Sequence, residues 1–191
     1  MSKPDKREEI IRASLELIAE QGFHGAPMAS IAERAGVGAG TIYRYFESRD
    51  VLITELYREL EEQVYRYVQE DYPAGEPIRE RFLHLVTALL RYFIDNPLDF
   101  RYLEQFHNSP YGIEVRRDRI FGEKDKRNIY RELFEEAAAL QVLKELPLVL
   151  LFALTFGPLK AVARDHVLGF ITLDEALISR TAEACWDGVK R

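Results

Sequence analysis

The stretch that decides the fold runs from Met28 to Glu47, MASIAERAGVGAGTIYRYFE, and predicts two short helices that cross at a tight turn. Ala32 stands at the predicted crossing, where only a small side chain lets two helix backbones approach each other. Gly36 stands at the turn, where the chain needs a positive φ that glycine adopts without steric cost. A helix, a turn of three or four residues and a second helix form the arrangement that places the second helix in the major groove of DNA.

The two faces of this segment have different characters. The side chains expected to fill the inner face are Ile31, Ala35, Val37, Ile42 and Tyr45. A helix this short needs large buried anchors, so at least one of Tyr45 and Phe46 is expected in the core. On the outer face of the second helix, Thr41, Tyr43 and Arg44 are groups that could reach phosphates or base edges. The pattern therefore indicates a DNA-binding surface.

Helical periodicity continues on both sides of this segment, and strand signals are weak, so the predicted fold class is all-α. Before the segment, a helix is expected to begin at Asp5, which has the capping-box spacing to Glu8, and to end at Gly22. Pro27 suits the first position of the next helix. From there on, the predicted helices cover residues 27–35, 39–46, 49–70, 77–95, 97–107, 115–140, 146–168 and 173–190.

Three sequence features mark boundaries in the second half of the chain. The clearest break is DYPAGEP at residues 71–77, which holds two prolines and a glycine. Thr172 and Glu175 have capping-box spacing and are expected to start the final helix. Gly157 and Pro158 are expected to kink the apolar helix 146–168.

Composition excludes several classes of protein. With 47% hydrophobic residues and a net charge of −6, the chain is expected to be soluble and folded rather than disordered. The apolar run 146–159 is shorter than the roughly 18 residues needed to span a bilayer, and residues 1–12 lack the apolar core of a signal peptide. The single cysteine, Cys185, cannot form an intramolecular disulfide, so a cytoplasmic location is expected.

Net charge by itself argues against nucleic-acid binding. Residues 1–60 contain eight Lys or Arg and ten Asp or Glu, a net charge of −2. Any phosphate contacts must therefore come from a few placed groups and backbone amides, and binding is expected to be modest and sensitive to salt.

Over about residues 6–56 the sequence resembles the TetR family of bacterial transcriptional regulators. The matching elements are Gly22-Phe23, Ile31-Ala32, Ala35-Gly36-Val37, the run from Gly40 to Phe46, and Ser48 to Leu52. This resemblance implies an N-terminal three-helix helix-turn-helix DNA-binding domain at 1–48, a connecting helix at 49–70, and a C-terminal helical bundle for ligand binding and dimerisation at 71–191. It also implies a non-enzymatic regulator, with repression as the expected output.

The resemblance carries roles onto individual residues. Thr41, Tyr43 and Arg49 would touch phosphates, and Met28 and Ala29 would begin the supporting helix. The residues nearest the bases or sugar edges would be Ala39, Gly40, Arg44 and Tyr45. The chain departs from the family at three positions where a hydroxyl cap, a polar DNA contact and a serine are common, namely Ala26, Ala29 and Gly38.

The C-terminal part is rich in aromatic residues, most of which are expected in the core. Some could line a pocket for a small-molecule effector, as in other helical bundles. The candidate lining residues are Arg101, Tyr102, Phe106, His107, Tyr111, Tyr130 and Phe156, with Asn108 as a further polar anchor.

A two-fold homodimer on a palindromic operator follows from the resemblance, with the last two helices packed against their mates. The faces predicted for this contact are Leu148, Leu151, Phe152, Thr155 and Leu159 on one helix and Leu177, Ile178, Thr181 and Cys185 on the other. An effector would move helix 49–70 and so change the separation of the two DNA-reading helices.

Two other functions each match one feature of the sequence. The acidic charge favours a helical ligand-binding protein or enzyme without a DNA role. Glu104 and His107 have the Glu-x-x-His spacing of di-iron bundles, but no second such pair occurs, so neither a metal nor a cofactor is expected. No nucleophile elbow is present, and Cys185 is expected to be a packed thiol rather than a redox sensor.

Overall fold

The computed structural model describes residues 5–121 and 129–191, and these residues form ten α-helices. Within them, the one β-type contact is an isolated antiparallel bridge between Leu143 and Lys190, which confirms the all-α class. The helices are α1 (Lys6–Gln21), α2 (Met28–Arg34), α3 (Ala39–Tyr45), α4 (Arg49–Gln69), α5 (Ile78–Asp95), α6 (Pro97–His107), α7 (Pro110–Phe121), α8 (Ile129–Ala139), α9 (Leu148–Val167) and α10 (Glu175–Val189).

The predicted helix 115–140 differs most from the structure. Its middle, residues 122–128, lies outside the described residues, and its two ends belong to α7 and α8. The first of these, α7, begins five residues earlier than predicted, at Pro110. Proline is favoured in the first turn of a helix, and the amides of Gly112 and Ile113 both donate to the carbonyl of Ser109. The start signal was therefore in the sequence, directly after the end of α6.

Helix ends agree with the predicted caps in most places. Asp5 accepts a hydrogen bond from the amide of Arg7 at 3.2 Å, and Gly22 ends α1 with a φ of +74°. Pro27, which was predicted as the first residue of α2, is instead its N-cap residue, one position before the helix begins. The predicted capping box that begins at Thr172 is wrong. Asp174 is the N-cap of α10, and its side chain accepts a hydrogen bond from the backbone amide of Leu177 at 2.8 Å.

The turn between α2 and α3 has the Schellman geometry that ends many helices. Gly36 has a φ of +65°, its amide donates to the carbonyl of Glu33 at 3.1 Å, and the amide of Val37 donates to Ala32 at 2.9 Å. A Cβ added to Gly36 would meet nothing within 4 Å. Backbone conformation, and not lack of space, therefore explains why glycine is needed there.

By their internal contacts the described residues divide into two compact units. Unit 1 comprises the residues up to Gln63 together with Pro97–Glu114, and unit 2 comprises Val64–Asn96 and Val115–Arg191. The sequence assigned α6 to the C-terminal bundle. In the structure α6 belongs to unit 1, where it packs against α1.

Aromatic residues of α6 explain its place in unit 1. Tyr102 is fully buried and donates its hydroxyl to the carbonyl of Ile53 at 2.7 Å, and this burial raises the pKa of the phenol far above its usual range. Phe106 stacks on Tyr57 with ring centroids 4.0 Å apart. The side-chain amide of Gln105 donates to the carbonyl of Ile18 in α1 at 2.9 Å. These contacts make α6 part of the same core as α1 and the first half of α4.

Unit 2 has a core in which α5 packs against α8, α9 and α10. Phe82 of α5 lies between Phe134 and Trp186, with ring centroids 5.9 Å and 5.2 Å away. Cys185 is buried, its Sγ donates to the carbonyl of Thr155 at 3.4 Å, and burial raises the pKa of its thiol. A buried thiol with a raised pKa is a packing residue, as the sequence predicted.

The prediction of which faces of α9 and α10 form the subunit contact is wrong, because most residues of those faces are buried within the chain. The residues of those faces that are buried within unit 2 itself are Leu151, Phe152, Thr155, Leu159, Ile178 and Cys185. The residues of α9 that face outward instead are Leu150, Ala153, Leu154, Gly157, Pro158 and Ala161. Over residues 148–159 this helix is apolar on nearly every side, and its charged residues begin only at Lys160, so the pattern there could not distinguish the inner from the outer surface. Among the described residues, every helix is too short or too polar to cross a lipid bilayer.

We expect Gly36→Ala to lower the free energy of unfolding by about 1 to 2 kcal/mol, because alanine is strained in the left-handed conformation. Urea unfolding followed by circular dichroism measures this. Gly40→Ala is the matched control, because Gly40 lies in α3 without a positive φ and has open space around it. That control should be neutral or stabilising by up to about 1 kcal/mol. Equal stabilities of the two variants would contradict the role of the turn.

Candidate nucleic-acid interface

A small buried core holds α1, α2 and α3 together. Helix α2 packs against both α1 and α3. Ala32 is 3% exposed, and Ile31, Ile42 and Phe46 are completely buried. Phe46 is therefore the aromatic anchor of α3, while Tyr45 stays half-buried. With its inner face fixed in this way, the opposite face of α3 is presented to solvent.

The outward face of α3 carries most of the residues predicted to contact DNA. Tyr43 is 55% exposed, although it is a large aromatic side chain. Thr41 is half-buried, and the exposed residues are Ala39, Gly40 and Arg44. A Cβ added to Gly40 would meet nothing within 4 Å, so the protein's own packing does not require a glycine there. The lack of a side chain leaves the backbone at the start of α3 open to a close approach.

Beside this face lies an open groove of about 610 Å³, which we term the Tyr43 groove. It brings together four of the predicted DNA-contact residues, Met28, Ala29, Tyr43 and Arg49. The side chain of Met28 is only 7% exposed, so the atoms it can offer to a ligand are mainly those of its backbone. The remaining lining residues are Phe23, His24, Pro27, Glu47 and Ser48.

Sequence reasoning missed His24 and Glu47 as members of this groove. Both residues are exposed and both can be charged. His24 directly follows the Gly22-Phe23 pair and Glu47 directly precedes the cap Ser48, so both adjoin motif residues in the sequence. Neither belongs to a recognisable spacing, which is why only the structure assigns them.

Two arginines of the acidic unit 1 form ion pairs with glutamates, whereas the exposed Arg44 has none among the described residues. Arg7 pairs with Glu55 at 2.8 Å and with Glu59 at 2.6 Å, and these hydrogen bonds raise its pKa. Arg34 pairs with Glu20 at 2.8 Å. The guanidinium of Arg44 lies over the ring of Tyr45, 5.3 Å from its centroid, and has no acidic partner among the described residues. The positive charge of Arg44 is therefore not neutralised by an ion pair among the described residues.

Arg49 has a structural role that the sequence did not predict. Its Nε donates to the carbonyl of Ala26 at 3.1 Å, and its Nη2 donates to the carbonyl of Phe23. The guanidinium thus joins the first turn of α4 to the loop between α1 and α2. Arg49 lines the Tyr43 groove while it holds the groove together.

The candidate ligand residues are divided between the two units. Tyr130 and Phe156 lie in unit 2 with ring centroids 5.1 Å apart. Tyr102 and Phe106 fill the core of unit 1. The other candidates in unit 1 are His107, which packs edge-on against Tyr57, Tyr111, the exposed Arg101 and the exposed Asn108. Among the described residues no group of three or more His, Cys, Asp or Glu side chains could hold a metal ion.

Comparisons with known proteins agree over nearly the whole chain. Residues 10–56 match the family "Bacterial regulatory proteins, tetR family", and residues 77–190 match the "Tetracyclin repressor-like, C-terminal domain". An HTH-type transcriptional regulator of Haemophilus influenzae is 24% identical over 191 residues, which cover 100% of this chain and 98% of that protein.

Two solved structures extend the comparison to the fold. A TetR family protein from Vibrio parahaemolyticus is 30% identical with a TM-score of 0.75, covering 98% of this chain and 99% of its own. A TetR family transcription regulator from Marinobacter aquaeolei is 23% identical with a TM-score of 0.83, covering 97% and 95% of the two chains.

Replacing Arg49 tests its structural role in the absence of DNA. We expect Arg49→Ala to lower the free energy of unfolding by about 1 to 2 kcal/mol, because two carbonyls lose a charged donor. Arg44→Ala removes the same side chain from a position without an ion pair and should change stability by less than about 0.5 kcal/mol. Chemical denaturation of the two variants makes the comparison. An unchanged stability of Arg49→Ala would mean that the carbonyl bonds contribute nothing.

Proposed function

Because this chain belongs to the tetR family of bacterial regulatory proteins, we propose that it is a transcriptional regulator that binds double-stranded DNA through α3 and the Tyr43 groove. The observation that carries this proposal is the orientation of α3. Ile42 of α3 and the C-cap residue Phe46 are buried, whereas Tyr43 and Arg44 are exposed and Thr41 is half-buried. A helix held in this way by two neighbours is the part of a helix-turn-helix that enters the major groove.

Each exposed group of α3 has a suitable role toward DNA. Thr41 and Tyr43 carry hydroxyls that can donate to phosphate oxygens, which position a protein on the duplex. Arg44 can donate two hydrogen bonds to a guanine in the major groove. Ala39, Gly40 and Tyr45 complete the surface near the bases, and Met28, Ala29 and Arg49 adjoin the neighbouring phosphates. With Arg44 as the main free cation of this face, affinity should depend on hydroxyls and amides as well as on charge.

Two copies of the chain would bind a palindromic operator as a homodimer. Each copy would read one half-site, and half-sites lie about 34 to 36 Å apart or at multiples of that distance. The support for a dimer is the outward face of α9 and the segment after it, where apolar residues are exposed. They include Leu150, Leu154, Leu168, Phe170 and Ile171, with Phe170 79% exposed.

The outward face of α9 also suits close packing between two subunits. Besides Leu150 and Leu154 it carries Gly157, Pro158 and Ala161, whose side chains are small or absent. An apolar face with so little steric bulk allows a second helix to approach closely. This face replaces the one expected from the sequence, and α9 and α10 remain the proposed contact helices.

A small-molecule effector would bind in unit 2 and release the DNA, which makes repression the expected output. The candidate residues that unit 2 offers are Tyr130 and Phe156, beside further aromatic rings. Such a ligand shifts the DNA equilibrium only if it binds the free dimer more tightly than the DNA-bound dimer. A shift of α4 by a few ångströms would misplace one reading helix while the other stays docked.

The alternative is a helical ligand-binding protein or enzyme whose N-terminal helices are only structural. The acidic net charge of −6 is the observation that favours it. It differs from the proposed function in requiring no duplex binding and no role for the outward face of α3.

Removing the two hydroxyl-bearing side chains of α3 tests the proposed function. We expect the double substitution Thr41→Ala, Tyr43→Ala to weaken binding at least about tenfold to a duplex that the wild-type chain selects from a random-sequence library. The melting temperature should change by less than about 3 °C, because both side chains point outward. Fluorescence anisotropy and thermal unfolding provide the two measurements.

The matched control removes the same two residue types from unit 2, as Tyr65→Ala with Thr172→Ala. This control should bind the selected duplex as the wild type does. If both double variants bind equally well, the outward face of α3 is not the DNA-binding surface. If the wild type enriches no duplex at all, the alternative function is favoured.

The outward face of α9 gives a separate prediction about assembly. Leu150→Glu combined with Leu154→Glu should convert a dimer to a monomer, because each subunit would bring two carboxylates into the same apolar contact. Size-exclusion chromatography with light scattering at micromolar concentration measures the mass. Leu98→Glu, at a residue of similar exposure in unit 1, should leave the dimer intact. A wild-type monomer would contradict the proposed dimer.

A further inference from the structure

Phe23, in the loop between α1 and α2, is held on two sides within unit 1. Its ring contacts Tyr102 of α6 and Tyr111 of α7, with ring centroids 6.1 Å and 5.7 Å away. Its backbone carbonyl accepts a hydrogen bond from Arg49 in the first turn of α4. The loop that leads into α2 is therefore fixed by its side chain and by its backbone at the same time.

Tyr111 is connected to the same turn of α4 by a second route. Its hydroxyl donates to Oδ1 of Asp50 at 2.5 Å, and Asp50 directly follows Arg49. The acceptor is a carboxylate, and this hydrogen bond raises the pKa of the phenol. The contacts form a closed circuit from Phe23 to Tyr111, from Tyr111 to Asp50, and from the adjacent Arg49 back to Phe23.

Two members of this circuit, Phe23 and Arg49, line the Tyr43 groove, whereas Tyr111 is absent from its lining. The sequence had assigned Tyr111 to an effector pocket and Arg49 to a phosphate. In the structure both side chains also connect the loop before α2 to the first turn of α4. A movement of the loop before α2 or of the first turn of α4 would shift the start of α2 or the start of α4 within the groove.

We propose that Tyr111 and Asp50 form a positioning pair that sets the geometry of the Tyr43 groove, so that the Tyr111 hydroxyl determines DNA affinity without touching DNA. This inference rests on the proposed function, because it assumes that the groove receives the DNA backbone. The hydroxyl acts by holding the groove in its DNA-binding geometry before DNA binds. Without it, the loop before α2 and the first turn of α4 move more freely, and that freedom must be lost when DNA binds.

The ring of Tyr111 and its hydroxyl can be separated experimentally. The ring also stacks with Phe106, with centroids 6.2 Å apart, and these packing contacts persist in Tyr111→Phe. Tyr111→Phe therefore removes one hydrogen bond and leaves the aromatic cluster in place. Asp50→Ala removes the acceptor, whereas Asp50→Asn keeps a carbonyl oxygen in the same position.

The experiment is a double-mutant cycle on the affinity for a duplex selected by the wild-type chain. We expect Tyr111→Phe to weaken binding about 3- to 10-fold, the range for losing one typical hydrogen bond, because this bond is exposed to solvent. In the Asp50→Ala background the same substitution should change affinity by less than about twofold, since the bond is already absent. In the Asp50→Asn background a measurable loss should return.

The control is Tyr65→Phe, which removes another phenol hydroxyl that takes part in one hydrogen bond, with Gln69 at 2.8 Å. It should bind the duplex as the wild type does. A purely packing role for Tyr111 would give the same affinity for Tyr111→Phe and the wild type, or an equal loss in all three Asp50 backgrounds. Either result overturns the positioning pair.

The two proposals fail in distinguishable ways. If the wild-type chain enriches no duplex, the proposed function fails and the positioning pair fails with it. If the wild type binds its duplex and Tyr111→Phe binds it equally well, only the positioning pair is refuted. Thermal unfolding of Tyr111→Phe should show a Tm within about 3 °C of the wild type, which separates loss of binding from loss of folding.

Discussion

The close packing of α2 against α3 is the constraint on which the rest of this structure depends. It rests on two residues without functional groups. Ala32 is small enough to be buried where the helices meet, and Gly36 adopts the positive φ that reverses the chain between them. With the inner residues Ile42 and Phe46 fixed, the outward direction of Thr41, Tyr43 and Arg44 follows from helical geometry alone. The chemistry of the surface is therefore set by packing on the opposite side.

Charge is distributed so that the acidic composition does not conflict with a DNA-binding face. Arg7 and Arg34 are neutralised by glutamates within unit 1, and Arg49 is engaged by backbone carbonyls. Arg44 on α3 has no ion-pair partner in the part of the chain that the structure describes. A count of charges along the sequence cannot separate arginines that form ion pairs inside the fold from arginines that face solvent, because both add the same charge to the total. The location of each guanidinium matters more than the net charge of −6.

The sequence predicted most of the helices and the outward face of α3 well because these depend on local signals. Caps such as Asp5 and Gly22, and the alternation of buried and polar residues in α3, act over a few positions. The errors arose where distant contacts decide. Sequence could not reveal that α6 joins unit 1, that Tyr111 binds Asp50, or which side of the apolar first half of α9 faces inward. Long-range packing, rather than periodicity, determines each of these.

A crystal structure of the chain bound to a duplex that it selects tests the central claim most directly. The proposed role of α3 requires that this helix lie in the major groove, with Thr41, Tyr43 and Arg44 within hydrogen-bonding distance of phosphates or base edges. It also requires that Ile42 and Phe46 stay buried against α1 and α2. A complex in which the side chains of Thr41, Tyr43 and Arg44 face solvent or a second subunit, while other helices hold the duplex, would contradict it.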